Sequence, residues 1–381
     1  MRIWRRIREA CLPHKNMSLY AIDAQSANKK ERTGVEQYAF QIIEAMKKEP
    51  LKEGERVVLY SPESLEGELG ELPSGWESKI LKWPIGRGWM SLLVGLEMLR
   101  HAPDVLFVPS QGLPSYLSRA KIITTIHDLA FARCPDLYHS SVRVSLLRTT
   151  KRAVKKATKI LVPSQATKND LMEIYKINEE KIVVTPLAPS LRSLQGHSSS
   201  QRATPFFITI GRMEKKKNIT TLIRAFEIFK SRRGVGDPFE LVLMGKPGFG
   251  YGEIKKQIDF SQYRNQIREL GYVADDEAAD FLSRSTAYVF PSWYEGFGIP
   301  NLDAMTAGVP IIASDIAVHR EVVADAGLFA APDNAEELAA AFERIAGDAA
   351  LRDELIARGK RRVAEFLWEK TAGKTWEVMR G

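Results

Sequence analysis

The sequence predicts an α/β protein built from two doubly wound domains. Short, nearly continuous apolar runs alternate with helical patterns along most of the 381 residues, which is typical of parallel sheets covered by helices on both faces. A polar stretch at 195–205, QGHSSSQRATP, separates the runs into two series and is the best candidate for a linker. A chain of this length also forms two cores more naturally than one.

The predicted strands form one series before this linker and another after it. The first series covers 19–22, 57–60, 105–108, 122–126 and 160–162, and the second covers 206–210, 241–244, 287–290 and 309–313. Helical patterns such as 35–46 and 219–229 lie between them. The predicted domains are 17–194 and 206–363, with a basic extension at 1–16 and a last helical segment at 364–381. Ligands of doubly wound sheets bind beyond the carboxyl ends of the strands, so residues directly after strands are the functional candidates.

The cysteine content and the hydropathy exclude several classes of protein. Cys11 and Cys134 are too few for a disulfide framework, which favours a reducing compartment. No run of about eighteen apolar residues is available for a membrane-spanning helix. The first residues, 1–17, have neither the apolar core nor the cleavage site of a secretory signal. We therefore expect a cytoplasmic protein.

The net charge of +8 is concentrated in one segment. Residues 137–169 contain no acid, and much of this segment has a helical pattern. Its basic residues are Arg143, Arg148, Lys151, Arg152, Lys155, Lys156, Lys159 and Lys168, and its apolar side is Val142, Val144, Leu146, Leu147 and Val154. Such a helix suits an anionic membrane surface, and the alternative is a basic face that is only solvated. Nucleic acid is not favoured, because no zinc-ligand spacing or aromatic platform accompanies the basic residues.

Gly211 and the basic residues behind it follow the first strand of the second series, in the stretch ITIGRMEKKKN. Glycine permits a close approach of the backbone to a ligand. The guanidinium of Arg212 offers a fork of donors and the ammonium of Lys217 a point charge, and together they suit a diphosphate. The alternative is a basic surface turn, because Lys215 and Lys216 are adjacent.

Four glycines follow the next strand in LVLMGKPGFGYG, beginning with Gly245. Their spacing is not that of the dinucleotide-binding fingerprint, so a nicotinamide cofactor is poorly supported. No Gly-Lys-Ser/Thr sequence completes a phosphate-binding P-loop either. We predict a flexible glycine turn beside a ligand.

The stretch PSWYEGFGIPNLDAMTAGVPIIASD, residues 291–315, places two acids around glycines between a buried strand and a helix. Pro300 suits the first turn of that helix and Gly308 its end, which puts Asp303 in the first turn, where the helix dipole keeps it ionised. Ionised carboxylates only accept hydrogen bonds, so Glu295 and Asp303 suit hydroxyls. Beside two cations, this pattern fits a nucleotide sugar, whose diphosphate lies between two polyol rings. The alternative is that Asp303 only stabilises the helix and Glu295 is an exposed loop acid.

These motifs, in this order, resemble those of the family-4 retaining glycosyltransferases of the GT-B fold. The second half carries GRMEKKKN and GYVADDEAADFLSRSTAYVFPSWYEGFGIPNLDAMTAGVPIIAS. The first half carries IDAQSANKKERTGVEQYAFQIIEAM, TTIHDLAF and LVPSQATKNDL. The stretch FLWEKTAGKTWEVMRG resembles the final helix of the family, which crosses back onto the N-terminal domain. The resemblance covers about residues 19–380 and is greatest to bacterial mannosyltransferases of polysaccharide and O-antigen assembly.

The resemblance implies roles for residues that the motifs share. Arg212 and Lys217 would bind the donor diphosphate, and Glu295 would hold hydroxyls of the donor sugar. Backbone amides at Phe297 and Gly298 would assist Glu295. Further implied donor-binding positions are Gly34, Gly211, Gly245, Val273 and Asp303.

Asp303 departs from the family pattern. It takes the place of a second glutamate that holds the ribose, so its carboxylate is one methylene shorter.

His127 directly follows a predicted strand. In the family, a histidine at this position contacts the donor sugar. Adjacent residues of an extended chain point in opposite directions, so we favour this contact over a catalytic pair with Asp128. Ser164 is predicted to be a helix N-cap first and a ligand contact second.

The resemblance also implies the reaction. It implies hexose transfer with retention at the anomeric carbon, without a protein nucleophile, a metal ion or a cofactor. The donor is interpreted as GDP-mannose and the acceptor as a glycan carried on a lipid at the inner membrane face. A UDP-sugar donor stays open. So do two other classes, a non-catalytic sugar-nucleotide-binding subunit and a basic module that binds nucleic acid or membrane.

Overall fold

A computed structural model gives the chain two parallel sheets. The structure describes residues 18–32, 34–83, 88–116, 119–190, 204–234 and 236–381. The predicted extension at 1–16 and linker residues 195–203 lie outside these ranges. The strands are β1 (Ser18–Asp23), β2 (Glu55–Ser61), β3 (Trp76–Ile80), β4 (Val105–Val108), β5 (Lys121–Thr125), β6 (Lys159–Val162), β7 (Ile182–Val184), β8 (Phe206–Ile210), β9 (Glu240–Met244), β10 (Ile267–Gly271), β11 (Ala287–Phe290), β12 (Ile311–Ser314) and β13 (Gly327–Ala330).

Both sheets have the strand order of a doubly wound fold. The first has the order β3-β2-β1-β4-β5-β6-β7 and the second β10-β9-β8-β11-β12-β13. Neighbouring strands run parallel throughout the second sheet and from β3 through β6 in the first. The order reverses beside β1 and beside β8, since each lies between its successor and a later strand. The predicted architecture of two Rossmann-like sheets is confirmed.

Helices form most of the connections between the strands. They are α1 (Gly34–Lys47), α2 (Gly95–Arg100), which continues a π-helical turn at Trp89–Val94, α3 (Ala130–Arg133), α4 (Ser140–Lys156), α5 (Gln165–Tyr175), α6 (Ile219–Arg233), α7 (Tyr251–Phe260), α8 (Asp275–Ser283), α9 (Ile299–Ala307), α10 (Ala317–Val323), α11 (Ala335–Gly347), α12 (Ala349–Val363) and α13 (Trp368–Arg380). The helices predicted at 35–46 and 219–229 correspond to α1 and α6.

The chain divides into two compact units. The first comprises the residues through Thr125 together with Thr149–Leu161 and Ala372–Gly381, and the second comprises Ile126–Arg148 and Val162–Thr371. Parts of 126–190 therefore belong to the second unit, where they contact the loop after β11. The domain boundaries proposed from the sequence stay a prediction.

Aromatic packing closes the core of the second unit. Phe207 of β8 stacks on Phe342 of α11 with 4.3 Å between ring centroids, and on Phe239 with 5.1 Å. Phe229 of α6 meets Phe207 edge-on at 5.4 Å. Aromatic pairs stabilise a core by about 0.5–1.5 kcal/mol each beyond the area that they bury. This packing fixes α6, which begins directly after the basic loop that follows β8.

The second half of α13 completes the core of the first unit. The ring of Trp376 is buried and meets Tyr20 of β1 at 5.4 Å and Trp76 of β3 at 6.2 Å, both edge-on. Its indole N–H donates to the carbonyl of Met46 over 3.3 Å. Tyr20 and Trp76 lie on different strands, so one side chain of α13 joins two strands of the first sheet to α1.

The basic helix α4 buries only part of its predicted apolar side, including Val154. Its buried residues are Thr150, Ala153 and Val154. Val142 is 49% exposed and Val144 is 41% exposed, so the predicted apolar side is wrong for these two residues. The prediction fails at the start of the helix because all three buried residues lie in its second half.

Candidate functional site

The loops that follow β8 and β11 meet where the strand order of the second sheet reverses. The two strands are neighbours, whereas their connections lead to strands on opposite sides of the pair. The amide of Trp293 donates to the carbonyl of Lys216 over 3.0 Å, and Nδ2 of Asn218 donates to the carbonyl of Pro291 over 3.0 Å. Ligands bind at such reversals, so the topology brings 211–218 and 291–298 together as one candidate site.

Three neighbouring strands end in glycines. Gly211, Gly245 and Gly271 have φ values of 146°, 147° and 67°, which residues with a side chain rarely adopt. The amide of Gly211 donates to the carbonyl of Met244 over 2.9 Å, and that of Gly245 to the carbonyl of Gly271 over 2.7 Å. A Cβ on Gly245 would lie 1.8 Å from the carbonyl oxygen of Gly211. The fold itself therefore requires these glycines, and their contact with a donor stays a prediction.

Arg212 extends over the glycine turn that follows β9. The amide of Met213 donates to the carbonyl of Lys246 over 2.8 Å, and the amide of Gly248 donates to the carbonyl of Met213 over 2.9 Å. A Cβ on Gly248 would lie 2.7 Å from Cγ of Arg212, so the glycine lets the arginine stem pack on the backbone. The turn predicted to be flexible is thus hydrogen-bonded beneath Arg212. The residue is exposed, and no hydrogen bond or ion pair to its guanidinium occurs within the described ranges.

Lys217 and Glu295 form an ion pair. The resemblance assigns Lys217 to the donor diphosphate and Glu295 to the hydroxyls of the donor sugar. Nζ of Lys217 lies 2.7 Å from Oε1 of Glu295 and 4.7 Å from the ring centroid of Phe290. Burial alone would raise the pKa of Glu295, but Lys217 and Lys216 outweigh it and lower that pKa to about 2. The carboxylate is therefore an acceptor at neutral pH. An ammonium has three N–H donors, so Lys217 can contact a phosphate while it holds Glu295.

Gly296 packs directly on the backbone of His127. A Cβ on Gly296 would lie 1.8 Å from the carbonyl oxygen of His127. The hydroxyls of Ser164 and Thr167 donate to the carbonyl of Gly296 over 2.7 Å and 3.2 Å. Ser164 is also the N-cap of α5, as predicted, and accepts from the amide of Thr167 over 3.1 Å. The structure thus brings His127 beside the loop that carries Glu295.

Helix α9 contains Pro300 and ends at Gly308 as predicted, but Asp303 is not in its first turn. Pro300 lies in the first turn and Gly308 caps the end with a φ of 68°. Asp303 is the fifth residue of Ile299–Ala307, and the helix dipole acts mainly within the first turn, so the role predicted for the dipole is wrong. The amide and hydroxyl of Ser190 donate to Oδ1 and Oδ2 of Asp303 over 2.7 Å and 2.8 Å. The ribose contact of Asp303 stays a prediction.

Two buried polar side chains lie beside Gly298 at the start of α9. Both polar side-chain atoms of Asn301 and Nε2 of His319 are buried, and none has a hydrogen-bond partner among the residues that the structure describes. A Cβ on Gly298 would lie 3.0 Å from Nδ2 of Asn301 and 3.7 Å from Cδ2 of His319. Buried polar groups are nearly always hydrogen-bonded, so Asn301 and His319 give this end of α9 hydrogen-bonding capacity that the described residues do not use.

Three further residues predicted to bind the donor differ in their exposure to solvent. Gly34 begins α1 in the first unit and is exposed. Val273 is half-buried in the turn between β10 and α8. The side chain of Phe297 is buried and its ring meets Phe366 edge-on at 5.8 Å, which leaves its backbone for any contact with a ligand.

Lys216 and Asn218 also belong to the site, although neither residue is predicted from the sequence to be part of it. The Lys216 side chain is 13% exposed, and its Nζ lies 3.2 Å from Oδ2 of Asp128. Nothing in the run of three lysines indicates which one turns inwards. Asn218 has a φ of 56° and directly precedes α6. Asparagine is the residue with a side chain that best tolerates this left-handed conformation, so its place before a helix is a signal that could have been used.

The described ranges contain neither a candidate metal site nor a candidate membrane span. No group of three or more His, Cys, Asp or Glu side chains there could hold a metal ion. No helix there is long and apolar enough to cross a membrane. The predicted independence of a metal ion stays a prediction.

Two family models match the chain, one in each half. Residues 32–188 match "Glycosyltransferase Family 4" and residues 195–362 match "Glycosyl transferases group 1". The O-antigen chain mannosyltransferase B of Escherichia coli is 30% identical over 290 residues, which cover 73% of this chain and 74% of that relative. The O-antigen chain mannosyltransferase RfbU of Salmonella typhimurium is 27% identical over 266 residues, 70% of each chain.

Solved structures of low sequence identity share the fold. WaaG, a glycosyltransferase involved in lipopolysaccharide biosynthesis, has a TM-score of 0.72 at 15% identity, with 95% of this chain and 100% of WaaG covered. Anabaena Alr3699/HepE, solved with UDP and glucose, also has a TM-score of 0.72, at 17% identity, with coverages of 96% and 100%. From the matching family models, the mannosyltransferase relatives and this shared architecture, the chain belongs to the family-4 glycosyltransferases of the GT-B fold.

Proposed function

We propose that this glycosyltransferase moves mannose from GDP-mannose to a glycan acceptor, with retention at the anomeric carbon. The observation that carries the proposal is that the loop with Arg212 and Lys217 meets the loop with Glu295 at the strand reversal of the second sheet, where Lys217 pairs with Glu295. The two cations suit a diphosphate. The ionised Glu295 suits the hydroxyls of the attached sugar. The backbone of His127 packs on Gly296 of the Glu295 loop, and in this proposal the His127 side chain contacts the same sugar.

The chemistry that this arrangement favours is electrostatic. Charge grows on the diphosphate as the glycosidic bond breaks, and Arg212 and Lys217 stabilise that charge without a metal ion. The leaving diphosphate oxygen accepts the proton of the acceptor hydroxyl on the same face of the sugar. The N-terminus of α9 adds a partial positive charge. Asp303 holds the ribose in this proposal, because an ionised carboxylate only accepts hydrogen bonds and so suits hydroxyls.

The choice of mannose and of a polysaccharide acceptor rests on the relatives. Both named relatives are O-antigen chain mannosyltransferases, one at 30% and one at 27% identity. A second candidate is a UDP-sugar donor, favoured by the structural similarity to a protein solved with UDP and glucose. The nucleobase is the part of the donor on which the two candidates differ.

A thermal-shift panel of GDP-, UDP- and ADP-sugars, followed by transfer assays with and without EDTA, tests the proposal. We expect GDP-mannose to stabilise the protein most, because a ligand stabilises in proportion to the logarithm of its concentration over Kd. Arg212→Ala and Glu295→Ala should each remove most of this stabilisation. If only a UDP-sugar stabilised the protein, the proposed donor would be that UDP-sugar and not GDP-mannose. Binding without transfer to any glycan acceptor would favour a non-catalytic subunit.

We also propose that the first unit contacts an anionic membrane, which would present a lipid-linked acceptor. Leu92, Leu96 and Leu99 form an exposed leucine stripe at helical spacing, with exposures of 45%, 41% and 58%. Lys151, Lys155 and Lys156 of α4 are also exposed. The helix of the leucine stripe and helix α4 both contact residues 115–116. A Cβ on Gly95 would lie 3.3 Å from the ring of Tyr116. Arg152 of α4 donates to the carbonyl of Ser115 over 2.9 Å. Exposed leucines beside basic residues suit an anionic bilayer surface.

Charge reversal of Lys151, Lys155 and Lys156 is expected to abolish sedimentation with anionic vesicles. Each basic residue near such a surface contributes about 1 kcal/mol. The loss of three such residues should therefore lower the affinity for the vesicles by more than about 10²-fold. Reversal of Lys256, Lys360 and Arg361, which are exposed in the second unit, is the matched control. Leu96→Glu should weaken binding even at high salt, because salt does not screen apolar insertion. Equal sedimentation of the first variant and the unchanged protein would refute the contact.

A further inference from the structure

We propose that Lys216 is a positioning residue for the transfer reaction, which holds the Glu295 carboxylate against the corner formed by His127 and Asp128. The inference rests on the proposed function, because it concerns the group that binds the donor sugar. It adds a residue to that site and gives the second of two inward-facing lysines a task distinct from that of Lys217.

The geometry places Lys216 between two carboxylates from different strand ends. Its Nζ lies 3.2 Å from Oδ2 of Asp128, which follows β5, and 4.0 Å from Oε2 of Glu295, which follows β11. Its own backbone carbonyl accepts from the amide of Trp293 over 3.0 Å. Lys216 is therefore fixed at both ends, by its backbone to the Glu295 loop and by its ammonium to Asp128.

The backbone beneath this ammonium is already closely packed. Gly296 lies so near His127 that a Cβ would be 1.8 Å from the carbonyl oxygen of His127 and 3.0 Å from Cβ of Asp128. Asp128 is itself oriented, because its Oδ1 accepts from the amide of Ala130 over 3.1 Å. The loop that carries Glu295 is thus packed against His127 and Asp128. In this proposal Lys216 adds the charged contact that orients the Glu295 carboxylate.

The charges around the carboxylate explain why two lysines are present. Lys217 pairs with Oε1 at 2.7 Å, and in the proposed reaction the same ammonium also contacts the diphosphate. Lys216 approaches the other oxygen, Oε2, at 4.0 Å, and the proposal gives it no diphosphate contact. Lys216 is thus the cation beside Glu295 that the diphosphate does not share.

The ionisation of the surrounding groups agrees with this assignment. Burial alone would lower the pKa of Lys216, but Asp128 and Glu295 outweigh it and hold that pKa well above its usual value. Glu214 contributes a weaker negative field. The Lys217 ammonium is the second cation beside Glu295. Three further groups nearby are uncharged at neutral pH, because burial raises the pKa of Tyr138 and Tyr288 above the usual value and lowers the pKa of His319 to about 4.

The test compares Lys216→Met and Lys216→Arg with Lys215→Met, an exposed neighbour as control. The first readout is a carboxyl carbon NMR titration of Glu295 in the protein without donor. An opposite charge at this distance lowers the pKa of a carboxyl by about 1–3 units, so Lys216→Met should raise the titration midpoint of Glu295 by about that amount. Lys216→Arg should restore the midpoint, and Lys215→Met should leave it unchanged.

The second readout is the pH profile of donor turnover. In Lys216→Met the acid limb of kcat should move to higher pH and kcat at neutral pH should fall by up to about 10²-fold, with a smaller change in KM, because a misplaced carboxylate affects the transition state most. Asp128→Asn, which can still accept from Ala130, removes the other partner of Lys216. It should lower kcat without raising the Glu295 midpoint, and it replaces Lys216→Met if that variant does not fold.

The outcomes separate this inference from the proposed function. An unmoved Glu295 midpoint and an unmoved acid limb in folded Lys216→Met, or normal turnover in Asp128→Asn, would overturn the positioning role while transfer by the unchanged protein persists. Absence of transfer by the unchanged protein with every donor of the panel would instead overturn the proposed function, and the role of Lys216 with it.

Discussion

Replacement of Arg212 or Lys217 by alanine is expected to lower kcat on the order of 10²–10³-fold, the usual effect of losing one preorganised group that stabilises transition-state charge. Arg212 is exposed and its stem packs over Gly248, so its guanidinium is available to a ligand. Lys217 is held by Glu295 at 2.7 Å. The measurement is single-turnover transfer from the donor that the thermal-shift panel selects.

Lys215→Ala is the matched control, because Lys215 belongs to the same loop and is exposed. It should retain turnover within about twofold, as surface changes away from a site usually do. Arg212→Lys should recover part of the loss, since it restores the charge but not the fork of donors. If kcat of both alanine variants stayed near that of Lys215→Ala, these cations would have no part in the chemistry. Thermal unfolding of Lys217→Ala must be measured alongside, because the variant also leaves Glu295 without its nearest partner.

Gly296→Ala is expected to destabilise the protein by about 3–5 kcal/mol, with loss of donor binding. Overpacking costs about 1–3 kcal/mol, and here the new Cβ would lie 1.8 Å from a backbone oxygen, that of His127. The loop would have to move away from α5, which breaks the bonds from Ser164 and Thr167 to the carbonyl of Gly296. Each such bond contributes about 1 kcal/mol. Denaturant unfolding gives the change in free energy.

The same substitution at Gly252 serves as the control. Gly252 lies in α7, and a Cβ there would meet nothing within 4 Å. Alanine is favoured over glycine inside a helix by about 0.5–1 kcal/mol, so Gly252→Ala should be neutral or slightly stabilising. Equal unfolding free energies for the Gly296 and Gly252 variants would mean that the loop after β11 does not rest on His127.

The central strands could be predicted from the sequence and the edge strands could not. Every interior strand of both sheets corresponds to a predicted apolar run, because helices cover such strands on both faces. The edge strands β3, β7, β10 and β13 have no counterpart among the predicted runs. The sequence of β3, WESKI, buries only its tryptophan, and that of β10, IRELG, buries only its isoleucine. One-sided burial leaves too few apolar residues for a continuous run.

The site residues could be predicted where a charged side chain lies in the loop that directly follows a predicted strand. Arg212, Lys217 and Glu295 fall into this class, since the carboxyl ends of β8 and β11 are neighbours. Contacts between distant segments could not be predicted. Ser190 reaches Asp303 across 113 residues of sequence, and neither residue has a local pattern that indicates the other.

The contact of Trp376 with the first unit has a consequence for synthesis of the chain. Its hydrogen-bond partner, the carbonyl of Met46, lies 330 residues earlier. A nascent chain that has emerged from the ribosome only as far as β6 therefore has the strands of that unit but not the indole ring that covers them. Long-range closure of this kind slows folding, so the early half of the protein must wait in an incomplete state, in need of protection from aggregation, until translation reaches α13.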